Sequence, residues 1–260
     1  MLRRLIGLER TPEAVRPPAA VPDGTRVYAI GDIHGSAHLL EALMEQIVED
    51  AEKRPGPSRR LLVFLGDYID RGLESPRVLD MLIAGPPSGF EQVCLMGNHE
   101  EAMFGFLEDI TIGPMWLRNG GGETLLGYGV TMPSTFSLTS ERMEAARLAL
   151  RERLPASHLA FLKSLALFHV EGGYLFVHAG VRPKVALADQ HANDLLWIRD
   201  EFLTSRADFG HVVVHGHTIS REPQVRPNRI GIDTGAYATG VLTCLVLEGT
   251  ERRFLQTGAG

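Results

Sequence analysis

One junction, repeated six times, constrains this chain more than any other feature. A short apolar run rich in β-branched residues ends in a tight, glycine-bearing turn that carries Asp, Asn or His. Val27-Tyr28-Ala29-Ile30 leads to Gly31-Asp32-Ile33-His34-Gly35, and residues 61–65 lead to Gly66-Asp67. Residues 93–96 lead to Gly97-Asn98-His99, and Leu175-Phe176-Val177 leads to His178-Ala179-Gly180. Val212-Val213-Val214 leads to His215-Gly216-His217, and Ile230-Gly231-Ile232 leads to Asp233-Thr234-Gly235. Runs of this length bounded by glycine read as buried strands. Between the early runs lies a helical pattern. Leu39, Leu40, Leu43, Met44, Ile47 and Val48 form one apolar stripe over 36–54, with Ser36 as the expected N-cap. Further helices are expected over 75–84, 100–109, 140–154 and 156–165, and around 195–204. Alternating strands and helices predict an α/β fold. In such folds ligands gather at the carboxyl ends of strands, where all these polar clusters stand.

The chain has 260 residues, 44% of them hydrophobic, which suffices for a sizeable core. Pro12, Pro17, Pro18 and Pro22 mark residues 1–24 as an extended or flexible leader. After Gly24 no second linker is visible, so 25–260 reads as a single catalytic domain. A net charge of −6 lacks the basic footprint of a general nucleic-acid binder and predicts no attraction to anionic membranes. No apolar stretch reaches the length of a membrane span, and the first ten residues lack a secretory apolar region. The default expectation is a cytoplasmic protein. Cys94 and Cys244 sit in apolar strand-like runs outside any paired motif, as free thiols of a reducing compartment would.

Asp32 and His34 stand two apart at the end of an extended run, so both side chains can point the same way. Asp67 ends a second strand and can share its two oxygens between two ions. Asn98, His178 and His217 end further strands and can complete a second shell. Mixed oxygen and nitrogen donors suit a divalent transition metal better than calcium or magnesium. An isolated Asp after a strand is usually a turn or cap, and a lone His is usually structural. The latter reading fits His38, His158, His169, His191 and His211. Six candidates arriving together at strand ends are a different matter.

The blocks GDIHG (31–35), GDYIDRG (66–72), GNHE (97–100), HAG (178–180) and HGHT (215–218), in that order, resemble the calcineurin-like metallophosphoesterases. The likeness is to the bacterial and phage branch of the phosphoprotein phosphatase family, and it spans about residues 27–247. It implies a four-layer sandwich, with two packed mixed β-sheets flanked by helices. It further implies one metal on Asp32, His34 and a bridging Asp67, and a second on Asp67, Asn98, His178 and His217. Manganese is the first expectation for both ions, with iron or zinc as alternatives.

Two divalent ions 3.5–4 Å apart, the general spacing of such sites, can hold a hydroxide and clamp a phosphoryl group for in-line attack. No GxSxG elbow or Cys-x5-Arg loop is present, so water is the expected nucleophile. His99 follows Asn98 directly. Adjacent side chains diverge at a strand end, so His99 can face substrate as general acid, oriented by Asp70. The family assigns these roles to the matching positions. Arg71 should bind phosphate oxygens through its planar fork. Arg199, by resemblance, is a second phosphate-binding arginine, unless Trp197 packs in the core and Arg199 snorkels. His215 and Asp233 are expected to support the ligands from behind. Trp116, Arg118 and residues 119–122 are candidates to line the substrate cleft or to form a flexible surface loop.

The substrate expected is a phosphorylated protein, with serine/threonine phosphatase activity. The alternative is a symmetrical diadenosine tetraphosphate hydrolase, and small phosphoesters stay open. Symmetrical hydrolases of this kind typically carry alanine where Asp70 stands, and often GNHD where this chain has GNHE. A third reading, a catalytically inactive metal or phosphate sensor, would be expected to have lost a ligand or the acid.

Overall fold

The computed structural model describes residues 18–131 and 138–258. The first sheet takes the order β10-β9-β1-β2-β3, from β1 (Thr25–Ile30), β2 (Arg59–Phe64), β3 (Glu91–Cys94), β9 (Thr243–Glu248) and β10 (Glu251–Gln256). The second takes the order β4-β5-β6-β8-β7, from β4 (Phe168–Glu171), β5 (Tyr174–Val177), β6 (Val212–His215), β7 (Gln224–Val225) and β8 (Arg229–Gly231). β1, β2 and β3 run parallel, as do β5, β6 and β8, and the flanking strands are antiparallel. The six repeated junctions follow the six parallel strands. The antiparallel ones carry none.

Side-chain alternation sorts the layers. Val27, Ala29, Leu61, Val63, Leu245 and Leu247 face Tyr174, Phe176, Val212 and Val214 across a core between the sheets. Tyr28, Ile30, Leu62, Phe64, Cys244 and Val246 point outward. There they meet α1 (Ala37–Lys53), α2 (Ser75–Ala84) and α3 (Asn98–Glu108). Beyond α3 come α4 (Gly113–Trp116), a π turn at Leu117–Gly121, α5 (Gly122–Gly127), α6 (Ser140–Arg153) and α7 (Ala156–Lys163). On the far face, Leu175, Val177 and Val213 pack under α8 (Ala192–Trp197) and α9 (Asp200–Leu203) through Leu195, Ile198 and Phe202. A last turn, α10 (Ala236–Thr239), follows Asp233-Thr234-Gly235. Two mixed sheets between helical layers make the α/β four-layer sandwich. Among the described residues no helix is long and apolar enough to cross a membrane. Cys94 and Cys244 are free, Cys244 buried and Cys94 half-buried.

Three expectations need correction. The helix expected around 195–204 is two, because Ile198 turns extended (ψ 141°) and Arg199 takes φ −130°, ψ −101°. Ser36 stands at the start of α1 but makes no side-chain cap; its hydroxyl donates to His34 O instead. The leader assigned to 1–24 lies outside the described residues as far as residue 17, and its last part is packed. Val21 is buried between the sheets, Val21 N–H donates to Gly249 O (3.0 Å), and Ala20 O accepts from Gly173 N–H (2.8 Å). Packed structure therefore extends to residues before Thr25.

Candidate metal centre

The junctions interlock through their backbones. Asp67 O accepts from Ile33 N–H (3.1 Å) and His34 N–H (2.9 Å), while Tyr68 O accepts from Gly35 N–H (2.8 Å). A Cβ on Gly72 would sit 2.3 Å from His34 O, and one on Gly97 would sit 2.1 Å from Asp67 Oδ1. Such approaches admit only glycine. Among the described residues six non-glycine residues have positive φ. Five are His34 (47°), Asp67 (53°), Asp70 (71°), Arg71 (66°) and His217 (63°). Left-handed backbone costs about 1–3 kcal/mol per non-glycine residue and persists where the surroundings enforce it, commonly at functional sites.

Asp67 stands at the centre. Its Oδ2 lies 3.5 Å from His34 Nε2, and its Oδ1 lies 3.5 Å from His178 Nε2. Two sets of ligand atoms, each within 4.8 Å of one another, share it: His34, Asp67 and His99, and Asp67, His178 and His217. His34 Nδ1–H donates to Ile69 O (2.9 Å) and His178 Nδ1–H to Leu65 O (2.8 Å). A carbonyl can only accept, so each Nε2 lone pair is turned toward Asp67, in the manner of metal-binding imidazoles. Asn98 Oδ1 lies 2.9 Å from His178 Nε2 and 2.7 Å from His217 Nδ1. Asp32 accepts the His217 backbone N–H at both oxygens (3.3 and 3.0 Å). All six residues are buried.

The electrostatics suit cations. Burial pushes His34 down to about 3 and His217 to about 2, and it lowers His178 as well. Burial opposes the charge on Asp67, but His178, His99, His34 and His217 together hold it below the carboxylate range. Burial, Asp233 and Asp67 raise Asp32. His34 Nε2, His217 Nε2 and Asp233 Oδ2 are buried without a hydrogen-bond partner among the described residues. Unpaired nitrogen lone pairs beside repelling carboxylates are expensive in a protein interior unless a cation joins them. The residues present thus fit divalent ions.

Beside this cradle, His99 Nδ1 meets Asp70 Oδ2 at 2.7 Å, and both are buried. Burial disfavours the charged imidazole, but Asp67 and Asp70 outweigh it and raise the His99 pKa. Arg71 Nη2 reaches His99 Nε2 (3.2 Å), and its guanidinium lies 4.8 Å from the Tyr237 ring centroid. Arg199 is exposed, with Nη1 3.4 Å from His217 O and 3.2 Å from Thr218 Oγ1. Trp197 is only half-buried, and its indole donates to Glu101. Asp233 lies close enough to Asp32 to raise it, and burial pushes Asp233 itself to about 6. His215 differs: its Nδ1–H donates to Gly216 O and its Nε2 accepts from Arg229, so it braces the turn rather than facing the cluster.

Sequence reasoning passed over one anchoring residue and misplaced another. Glu100 is fully buried and accepts backbone N–H groups from Asp67, Tyr68, Ile69 and Gly97 (2.8–3.3 Å), fastening the Asp67 turn to the start of α3. Burial and Asp67 push its carboxyl up to about 8, whereas four converging donors favour the ionised form. A Glu three residues after Gly97, at a helix start, was the available signal. Trp116 is fully buried and donates to Asp70 Oδ2 (2.9 Å), so it does not line a cleft. Asn119 is exposed and bonds Met115 O. A cavity of about 540 Å³ lined by Ala19, Gly173, Arg206, His211, Asn228 and Arg252 opens at the opposite end of β6, so concavity alone does not single out this site.

Comparison with known proteins places this geometry. The sequence profile of the calcineurin-like phosphoesterases matches residues 25–239. A bis(5'-nucleosyl)-tetraphosphatase PrpE [asymmetrical] of Anoxybacillus flavithermus is 26% identical over 236 residues, covering 83% of this chain and 88% of its own. The protein of that name from Bacillus thuringiensis is 26% identical over 234 residues, with the same coverage. A putative diadenosine tetraphosphatase structure aligns with a TM-score of 0.58 at 19% identity, covering 94% of this chain and all of that one. A cold-active protein tyrosine phosphatase aligns at 0.55 and 17%, covering 91% and 81%. At such identities the structural likeness speaks for the fold. Members of the matched family use divalent metals, and the chain belongs to the calcineurin-like phosphoesterases.

Proposed function

We propose that the chain hydrolyses phosphate monoesters with two divalent ions, and that its substrates are phosphoserine or phosphothreonine groups. One observation carries this reading: Asp67 is shared by two groups of imidazoles, and one of these imidazoles, His99, also meets the buried Asp70 carboxylate at 2.7 Å. Asp32, His34 and Asp67 would hold one ion, and Asp67, Asn98, His178 and His217 the other. Mixed oxygen and nitrogen donors favour manganese, with iron or zinc acceptable. When bound, such ions supply Lewis-acid activation of water and of the phosphoryl group.

The chain's own residues do the rest. Arg71 and Arg199 bind phosphate oxygens from two sides. Against burial, Asp67 and Asp70 raise the His99 pKa. His99 gives a proton from Nε2 to the leaving oxygen once Arg71, 3.2 Å from Nε2, has turned to the phosphate, while Asp70 accepts Nδ1–H. His215 braces the His217 turn, and the Asp233 carboxylate stands close to Asp32. A serine or threonine alkoxide is a poor leaving group and needs that proton. The phosphate released from an anhydride needs it far less. An intact acid therefore supports the ester substrate.

The second reading is hydrolysis of dinucleoside tetraphosphates, supported by the names of the sequence relatives. Those names specify asymmetrical cleavage, not the symmetrical cleavage weighed from sequence. Purified protein loaded with manganese should be assayed on phosphoserine, phosphothreonine and phosphotyrosine peptides, para-nitrophenyl phosphate and diadenosine tetraphosphate. Higher kcat/KM on the phosphoserine or phosphothreonine peptides supports the first reading. Preference for diadenosine tetraphosphate replaces it with the second, and inertness on every substrate leaves only a sensor.

A further inference from the structure

We propose that Trp116 and Thr124, carried by the irregular segment 113–127, are positioning residues for proton transfer from His99. The inference rests on His99 being the proton donor described above. The Asp70 carboxylate is fully buried and takes three side-chain donors. Oδ2 accepts from His99 Nδ1–H (2.7 Å) and Trp116 Nε1–H (2.9 Å), and Oδ1 accepts from Thr124 Oγ1–H (2.6 Å). Thr124 Oγ1 in turn accepts the Asp70 backbone N–H (2.9 Å). Donors on both oxygens fix the plane of the carboxylate, and with it the tilt of the imidazole.

The clamp is itself held rigidly. The Trp116 indole stacks on Phe106 (4.9 Å between centroids, 29°), and a Cβ on Gly121 would fall 2.4 Å from the indole. Thr124 is fully buried beside Ser75 Oγ (3.2 Å). The same segment supplies Gly120 O to Arg71 N–H (3.0 Å). His99 Nε2 lies 3.8 Å from Asp67 Oδ2. If Asp70 loses one donor its carboxylate can rotate, and a small tilt swings Nε2 onto Asp67 and away from the leaving oxygen. Positioning errors of this size are costly in enzymes.

A purely structural role would lower stability, or lower all rates alike. A positioning role lowers rates in proportion to the need for a proton. The test compares phenyl phosphate, whose leaving group needs protonation, with 2,4-dinitrophenyl phosphate, whose leaving group does not. Trp116→Phe removes the N–H and keeps a smaller aromatic ring against Phe106. Thr124→Val keeps the shape and removes the hydroxyl, and Thr124→Ser restores it. At equal metal content and with melting followed in parallel, Trp116→Phe and Thr124→Val should lose roughly tenfold in kcat on phenyl phosphate. On the dinitrophenyl ester the loss should stay within about twofold, as should any change in KM. Thr124→Ser should recover the phenyl phosphate rate. His99→Asn is the reference and should show the steepest difference between the two esters. Equal losses on both esters, or none, for Trp116→Phe and Thr124→Val overturn this inference while a steep His99→Asn difference leaves the acid intact. A flat His99→Asn response overturns the acid, and the clamp with it.

Discussion

In the cradle every proposed ligand follows the end of a parallel strand by one to four residues. Around Asp70 the supporting donors come from an irregular helical segment. The cradle is held mostly by backbone: Asp67 O receives two N–H groups from the Asp32–His34 turn, and Glu100 binds four more. The acid is held by side chains, an indole and a hydroxyl 46 and 54 residues along the chain from Asp70. Backbone fastening fixes where cations can sit and tolerates little change. Side-chain fastening sets the aim of one proton and can be altered without dismantling the fold. The two regions should therefore fail differently when disturbed.

The largest effect should come from the cradle. Asp67→Asn removes the shared charge and should lower kcat by about 10³-fold or more, with loss of bound metal. Metal analysis that still finds two ions per chain would contradict the sharing. His99→Asn should lower kcat by roughly 10²–10⁴-fold with metal content unchanged, and a rate near wild type would remove His99 from the chemistry. Glu100→Gln sharpens the contrast, because an amide NH₂ must then face backbone donors. It should cost about 1–3 kcal/mol of stability, read as a lowered denaturation midpoint. An unchanged midpoint would mean that the Asp67 turn is fastened elsewhere. Smallest is Val21→Ala, far from both regions. It should cost about 1–2 kcal/mol with kcat unaltered, and no change in stability would deny the packing of 18–24 against the sheets.

Strand ends were legible because two independent signals coincide there: a short continuous apolar run, buried on both faces, and glycine at positions where a Cβ would strike a neighbouring turn, as at Gly72 and Gly97. Asp32, His34, Asp67, Asn98, His178 and His217 could therefore be singled out before any coordinates. The structure groups Asp67 with His34 and with His178 and His217, sets Asn98 Oδ1 beside the latter two and Asp32 on the His217 backbone, and adds His99 to the His34 group. The support of Asp70 was not legible. Trp116 and Thr124 belong to a segment without strand or regular helical periodicity, and an indole buried as a donor looks in sequence like an ordinary core residue. The break at Ile198-Arg199 was hidden because the apolar pattern of Leu195, Leu196, Ile198 and Phe202 continues through it. The packed residues 18–24 were masked by their prolines, which mark extended backbone but not whether it is covered.

Anomalous diffraction from a crystal soaked in manganese tests the central claim most directly. The account predicts two peaks that share Asp67, one beside Asp32 and His34 and the other beside Asn98, His178 and His217. A single peak elsewhere, or none after full loading, would contradict it.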